Sequence, residues 1–318
     1  MDDKIHVLDM AGLAAARTTD IRWLWGDYLA TGMVTLLIGH GKDGKTTLLS
    51  LLLERLQSHR PLAGMPVTAR SAFVISEEPA EIWHHRAVTL GLREHVQWIC
   101  RSFFMRPEPK EWMEILRATR ASKPDLIVID SLSHFFPENR ENSPERFLQA
   151  IRPLNQITEQ GTAVLVVHHP RKDSRPGALV PRGTAAMVGF ADIVITLERA
   201  PHAPITDRRR VIRATSRLGS PSERWLELSP DGLDYAVVPE PSAADVNNAT
   251  WDVLRSVLED HHGELTQKEI RAAWPEDYET PSKATLARWL SAAVAAGQVV
   301  RNGRGRTGDP FRYGVVKT

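Results

Sequence analysis

The sequence predicts a mostly parallel α/β sheet with helices on both faces, plus a small second α+β domain. Three observations carry that prediction. Between about residues 21 and 200, short β-branched runs alternate with segments of helical period. The runs are apolar on both sides, as strands of a sheet covered on both faces must be. One run passes through a glycine-rich loop directly into a helix, the usual junction of a parallel sheet.

Composition bounds what such a chain does. Its 318 residues, 42% of them apolar, suffice for roughly two domains of about 150 residues each. Forty basic and 39 acidic residues leave a net charge of +1, so bulk charge does not hold it on nucleic acid or membrane, and local patches must. Cys100 is the only cysteine, which excludes a disulfide framework and a thiolate zinc site and fits a reducing cytoplasm. The opening "MDDKIHVLDM" has no basic segment ahead of an apolar core, and no apolar run approaches the roughly 18 residues of a membrane span. Neither export nor membrane insertion is expected.

Taken in order, the strands are "MVTLLI" at 33, "AFVIS" at 72, "VQWIC" at 96, "DLIVID" at 125, "AVLVVH" at 163 and "DIVITLE" at 192. The clearest helix opens with Ser143 as N-cap and Pro144 in its first position, carries Phe147, Ile151, Leu154 and Thr158 on one stripe, and stops at Gly161. Beyond residue 200, "RRVIRATSR", "WLEL" and "LDYAVV" suggest hairpins added at a sheet edge, with Arg208, Arg209 and Arg210 in a solvated turn. The polar stretch "PEPSAADVNN" gives a linker over 239–247, dividing an N-terminal segment (1–20) and a core (21–238) from a C-terminal domain (248–318).

The loop "GHGKDGKTT" satisfies two phosphate-binding patterns. A dinucleotide fingerprint through Gly39, Gly41 and Gly44 also needs an acidic residue about 20 positions on, at the end of a second strand. That position falls in "SHRPLAG", and the next strand starts only near Ala72. The P-loop pattern needs lysine and a hydroxyl after the last glycine, which Lys45 and Thr46 supply. ATP with Mg²⁺ is therefore the expected ligand, held by Gly39, Gly41, Lys42, Gly44, Lys45, Thr46 and Thr47. Backbone N–H groups from Lys42 to Thr46 and the helix start meet phosphate oxygens, Lys45 reaches the β- and γ-phosphates, and Thr46 holds the metal. Asp43 puts a negative charge among these groups, and its side chain is expected to point outward.

Hydrolysis needs further groups. Asp130, ending a buried strand, is the carboxylate for the Mg²⁺ shell. Glu77 and Glu78 follow the second strand, and Glu77 is favoured as the group acting on the attacking water, with Glu78 as substitute. His168 and His169 end the fifth strand. No further metal ligands stand near them in sequence, and His169 suits a hydrogen bond to the γ-phosphate. The following loop, with Arg171, Lys172, Arg175 and Arg182 against one acid, suits a single-stranded DNA backbone.

From about residue 21 to 230 the chain resembles the RecA-like ATPases, and among them the RepA-type hexameric helicases of plasmids and mobile elements. The resemblance rests on "WLW", "GHGKDGKTT", "SEEP" followed by "IWHHRAVTLGL", "VIDSLSHFF", "VVHHPRK" and "RGTAAMVGFADIVITLER" in that order. It implies Lys45 and Thr46 at the nucleotide, Asp130 in the second acidic motif, Glu77 as catalytic glutamate and His169 as sensor. It also implies a hexameric ring whose channel takes single-stranded DNA, replication or mobile-element partners, and an arginine lent by the neighbouring subunit. Arg217 is preferred for that arginine, and Arg213 shares its strand parity. Expected functions are ATP-driven DNA unwinding, a non-unwinding recombination, loading or signalling ATPase, or an ATP-assembled regulator.

The C-terminal segment reads as three helices. The first is marked by Trp251, Leu254 and Leu258, the second opens on the capping box "TQKE", and the third carries Leu286, Leu290 and Ala293 inward and ends at Gly297. "QVVRNGRGRTGDPFRYGVV" then places two strands around a basic tip. The outline resembles winged-helix DNA-binding domains, with Lys283, Arg288, Ser291, Arg304 and Arg306 as the outward groups and Trp289 packed inside. Arg301, Arg304, Arg306, Arg312 and Lys317 against Asp309 give this end a local charge of +4.

Overall fold

The computed structural model describes residues 9–12, 21–100, 108–134, 143–170, 179, 186–217, 219, 223–261 and 263–316. These fall into two compact units, one within Met1–Glu198 and Arg210–Val238, the other within Arg199–Arg209 and Pro239–Thr318.

The first unit opens with a short antiparallel pair, β1 (Trp23–Trp25) and β2 (Leu29–Ala30). There follow β3 (Val34–Ile38), α1 (Lys45–Ser58), β4 (Ala72–Ser76), α2 (Ala80–Leu90), β5 (Val96–Cys100), α3 (Pro109–Ser122) and β6 (Leu126–Asp130). Then come α4 (Pro144–Thr158), β7 (Ala163–His168), α5 (Ala186–Phe190), β8 (Ile193–Arg199), β9 (Arg209–Ser216), β10 (Arg224–Leu228) and β11 (Tyr235–Val238). The described strands from β3 onward form one sheet in the order β11-β10-β9-β8-β3-β7-β6-β4-β5. Pairing is parallel from β8 across to β5, and β10–β11 is antiparallel.

Alternation along the strands explains why both faces are covered. In β3, Val34, Leu36 and Ile38 enter one apolar cluster with Phe147, Ile151 and Leu154 of α4, while Leu37 enters the opposite cluster with Leu48, Leu49 and Leu52 of α1. β6 divides likewise, Ile127 and Ile129 to the α4 side and Leu126 and Val128 to the α1 side. Each such side chain contributes about 1.5–3 kcal/mol on burial, so a one-residue slip of register would expose a whole face. The α4 cap forms as its sequence suggests, the Ser143 hydroxyl accepting the Arg146 N–H, and Ile157 extends the buried stripe.

Two boundaries differ from the sequence reading. The supposed linker is helical from Ala243, because Ser242 and Asp245 form a capping box whose exposed first turns need no apolar residues. The core is also interrupted, since Arg199–Arg209 groups with the C-terminal residues: Pro204 bridges Tyr278, and the Ile205 N–H donates to the Asp277 carbonyl at 2.6 Å.

The second unit contains α6 (Ala243–Glu259), β12 (Leu265–Thr266), α7 (Gln267–Ala272), α8 (Lys283–Ala295), β13 (Val299–Asn302) and β14 (Arg312–Val315). Its strands form an antiparallel sheet in the order β12-β14-β13. Leu254, Leu258, Ile270, Leu286, Leu290 and Tyr313 fill its core, and Trp289 stacks on Trp274 with ring centroids 6.0 Å apart. Among the described residues no helix is long and apolar enough to cross a membrane.

Candidate nucleotide site

In a sheet of this kind the carboxyl ends of the parallel strands form the crevice where ligands bind. The loop from Gly39 leaves β3 at that edge. Two of its glycines are dictated by sterics. A Cβ on Gly39 would lie 2.6 Å from the Leu197 carbonyl, and Gly44 has φ +96° with the Tyr235 hydroxyl 3.1 Å from where its Cβ would be. Gly41 is different: it is exposed, and a Cβ there would meet nothing within 4 Å. The dinucleotide pattern needs that middle glycine and the P-loop pattern does not, so the geometry agrees with the latter.

Within the loop, Lys42 is exposed with φ +69°, and Thr46 and Thr47 are half-buried in the first turn of α1. Lys45 is buried and donates from Nζ to the Gly39 and His40 carbonyls at 2.7 and 2.9 Å. Burial lowers its pKa, and the charges of Asp43 and Asp130 oppose that shift. Asp43 does not point outward as expected. It is 5% exposed, because its carboxylate turns back into the loop and accepts the His40 N–H at 2.7 Å.

The acidic groups gather across from the loop. The Thr46 hydroxyl donates to Asp130 Oδ2 at 3.4 Å. The Glu77 N–H donates to the Asp130 carbonyl at 3.0 Å, tying the ends of β4 and β6 together. The Glu77 carboxylate accepts from Ser131 Oγ at 3.2 Å and is in contact with Nδ1 of His134, on the short turn Leu132–His134 that follows Asp130. Glu78 is engaged elsewhere, in an ion pair with Arg86 whose guanidinium lies 5.0 Å from the Trp83 ring centroid.

Burial, and after it the charge of Glu78, pushes the Asp130 carboxyl up to about 6, against the pull of Lys45, the Thr46 hydroxyl and Arg86. His169 moves the other way, down to about 4, chiefly through burial and then the Lys45 charge. It is therefore neutral near pH 7, and its ring hydrogen-bonds the Gly39 backbone.

The raised Asp130 pKa has a consequence for stability. The folded carboxyl holds its proton up to about pH 6, whereas an unfolded one loses it near 3.8, so the penalty for the buried charge is absent at low pH and grows as pH rises through 6. A separation of that size corresponds to roughly 3 kcal/mol above pH 7. Without nucleotide or metal, Asp130→Asn is expected to melt above the parent protein at pH 8, the gap closing toward pH 4. Calorimetric melting across pH checks this, and a gap independent of pH would mean that the carboxylate charge is not its cause.

The structure thus brings Gly39, Gly41, Lys42, Gly44, Lys45, Thr46, Thr47, Asp130, Glu77 and His169 to one sheet edge. Arg217 follows β9, its side chain 60% exposed, with Asp192 at 3.2 Å and the Gly189 carbonyl as partners. Arg213 lies between Glu198 and Glu223. Arg171, Lys172, Arg175 and Arg182 lie outside the described residues. Lys283, Arg288, Arg304 and Arg306 are exposed on the second unit.

Three groups were missed from sequence. His134 and Arg86 had only their spacing from Asp130 and Glu78 as a signal. Arg210, read as part of a solvated turn, is buried at the start of β9 and donates from Nε to the Asp43 carbonyl at 2.7 Å. The arginine run masked a strand whose next residues, Val211 and Ile212, are fully buried.

Among the described residues no cluster of three or more His, Cys, Asp or Glu can hold a metal. One hydroxyl and one carboxylate, Thr46 and Asp130, instead fit a hard cation carried mainly by phosphate and water oxygens, as Mg²⁺ is in such sites.

Comparison with known proteins bears on the family of the chain. A family model described as an AAA domain matches residues 2–175, more than half of the chain. The chain is 25% identical over 256 residues to a DNA repair protein RadA of Pseudomonas aeruginosa, a match covering 76% of this chain and 51% of that protein. It thus spans about half the length of that curated relative. The crystal structure of a RadB recombinase is similar with a TM-score of 0.46 and 18% identity, over 66% of this chain and 93% of that one.

Proposed function

The chain belongs to the AAA domain family, and from that premise we propose that its RecA-like P-loop core is an ATP-driven motor, assembled as a ring, that moves on single-stranded DNA and separates duplex. One observation supports this reading most. Lys45, the Thr46–Asp130 pair and a Glu77 carboxylate fixed by Ser131 and His134 converge at one sheet edge, which is the set of groups phosphoryl transfer to water requires.

In this reading Lys45 exchanges its two loop carbonyls for the β- and γ-phosphate oxygens. Thr46 and Asp130 would hold Mg²⁺, which would supply positive charge to neutralise the phosphates. Glu77 orients the attacking water and takes its proton as the new bond to the γ-phosphorus forms and the bond to the β-bridging oxygen breaks. Ser131 and His134 keep the carboxylate turned toward that water. His169, neutral, donates a hydrogen bond to the γ-phosphate, and the basic residues after it contact DNA. Arg217 of a neighbouring copy completes the site, an arrangement supported by its exposure and by the exposed character of its two partners, Asp192 and the Gly189 carbonyl.

The second unit is read as a winged helix that contacts DNA through Lys283, Arg288, Arg304 and Arg306. Its order of helices and strands and its exposed basic tip between β13 and β14 support this.

The likeness to a DNA repair protein favours a second reading, a RecA-like ATPase that acts on DNA without unwinding it. Phosphate release with and without single-stranded DNA, measured beside strand displacement on a forked duplex, decides between the two. The motor reading expects DNA-stimulated turnover and displacement together. Stimulated turnover without displacement would replace it by the second reading.

A further inference from the structure

The far strands of the sheet brace the nucleotide loop from outside. Along β9, Arg210 shares its parity with Ile212, and Ile212 packs in the cluster that holds Leu48 and Leu49 of α1 and Tyr235 of β11. Arg210 therefore lies on the α1 side of the sheet, at the head of that helix. There its Nε–H donates to the Asp43 carbonyl at 2.7 Å, and the residue is buried. Tyr235 stands beside it: a Cβ on Gly44 would lie 3.1 Å from the tyrosine hydroxyl and 3.6 Å from Arg210 Nε.

That hydrogen bond fixes more than one oxygen. The Asp43–Gly44 peptide is trans, so its C=O and N–H point to opposite sides of one plane. With the oxygen held toward Arg210, the Gly44 N–H faces away from the arginine. Lys42 and Gly44 have φ +69° and +96°, with Asp43 between them outside the left-handed region. Such alternation curls successive N–H groups into a concavity that takes an anion. Rotation of the 43–44 peptide would turn a carbonyl oxygen into that concavity in place of an N–H. Arg210 opposes the rotation, because it would take the acceptor from a buried Nε donor.

We infer that Arg210 is a positioning residue of the nucleotide site of its own chain: it holds the Asp43–Gly44 peptide in the orientation that lets the Gly44 N–H donate to a phosphate oxygen. The inference rests on the P-loop reading above. Backbone N–H groups of such a loop cradle the α- and β-phosphates, so the effect falls on ATP and ADP alike.

The test is equilibrium binding of ATP and ADP, each with Mg²⁺, to the full chain by titration calorimetry. Glutamine carries its amide nitrogen at the same place along the side chain as the arginine Nε, whereas methionine carries a methyl group there. Arg210→Gln and Arg210→Met both remove the charge and the rest of the guanidinium, so the gap between them reads the Nε donor alone. Arg210→Met is expected to bind both nucleotides about tenfold more weakly than Arg210→Gln. Equal affinities in the two folded variants would overturn the inference. If the methionine variant does not fold, the Gly44 amide signal of glycine-labelled parent and Arg210→Gln protein carries the test. It is expected to move downfield in both when ADP is added, and an unmoved signal in the parent would overturn the inference. Lys45→Ala separates the two levels: if it binds ATP as well as the parent does, the P-loop reading itself fails. If it loses binding while the two Arg210 variants bind equally, only the role of Arg210 falls.

Discussion

Glu77→Gln is expected to lower ATP turnover by about two to four orders of magnitude while ATP still binds. The amide keeps the size of the side chain and still accepts from the Ser131 hydroxyl at the 3.2 Å position, but it cannot take a proton from water. Glu78→Gln should behave differently. Its carboxylate is committed to Arg86 and acts on the site through Asp130, whose pKa its charge helps to raise. Loss of that charge should bring the Asp130 pKa back toward that of an ordinary carboxyl and alter turnover only modestly. Steady-state phosphate release paired with equilibrium ATP binding distinguishes the two. If Glu78→Gln is the inactive variant and Glu77→Gln turns over normally, their roles are exchanged.

Arg217→Ala is expected to cost about 10³-fold or more in turnover with the fold intact. Its pair with Asp192 at 3.2 Å is a surface pair, worth about 0–1 kcal/mol, and its hydrogen bond to the Gly189 carbonyl is also exposed, so on the proposed reading the side chain would leave both at modest cost to reach a neighbour's phosphates. Arg213 is held differently, between Glu198 at 2.9 Å and Glu223, with its side chain 29% exposed. Arg213→Ala should therefore lower the melting temperature as its main effect. Turnover and melting measured on both variants separate the roles. A normal rate for Arg217→Ala with a collapse for Arg213→Ala at unchanged melting temperature would reverse them.

The parallel strands and the P-loop were legible because their signals are local. Val34 to Ile38 are apolar at every position but Thr35, Ser143–Pro144 caps a helix within four residues, and Lys45–Thr46 follow their glycine directly. What was not legible depends on partners far away in the chain. Arg210 meets Asp43 across 167 residues, so an arginine run that looks like a solvated turn becomes a buried strand start only once β9 lies in the sheet. The inward turn of Asp43 is local but arises from a backbone turn that no residue pattern announces. His134 gains its meaning from the Glu77 carboxylate, which the β4–β6 pairing brings beside it. The 239–247 stretch misled because composition reported exposure correctly, and an exposed helical first turn is as polar as a linker.

On the proposed reading each catalytic site is shared between neighbouring copies of the chain. Mixing Arg217→Ala with Lys45→Ala protein and measuring phosphate release tests it most directly, since one variant retains an intact nucleotide loop and the other an intact arginine. Neither alone should turn over ATP, and the mixture should recover part of the parent rate through mixed assemblies. A mixture as inactive as its components, with both variants folded and co-assembled, would contradict the claim.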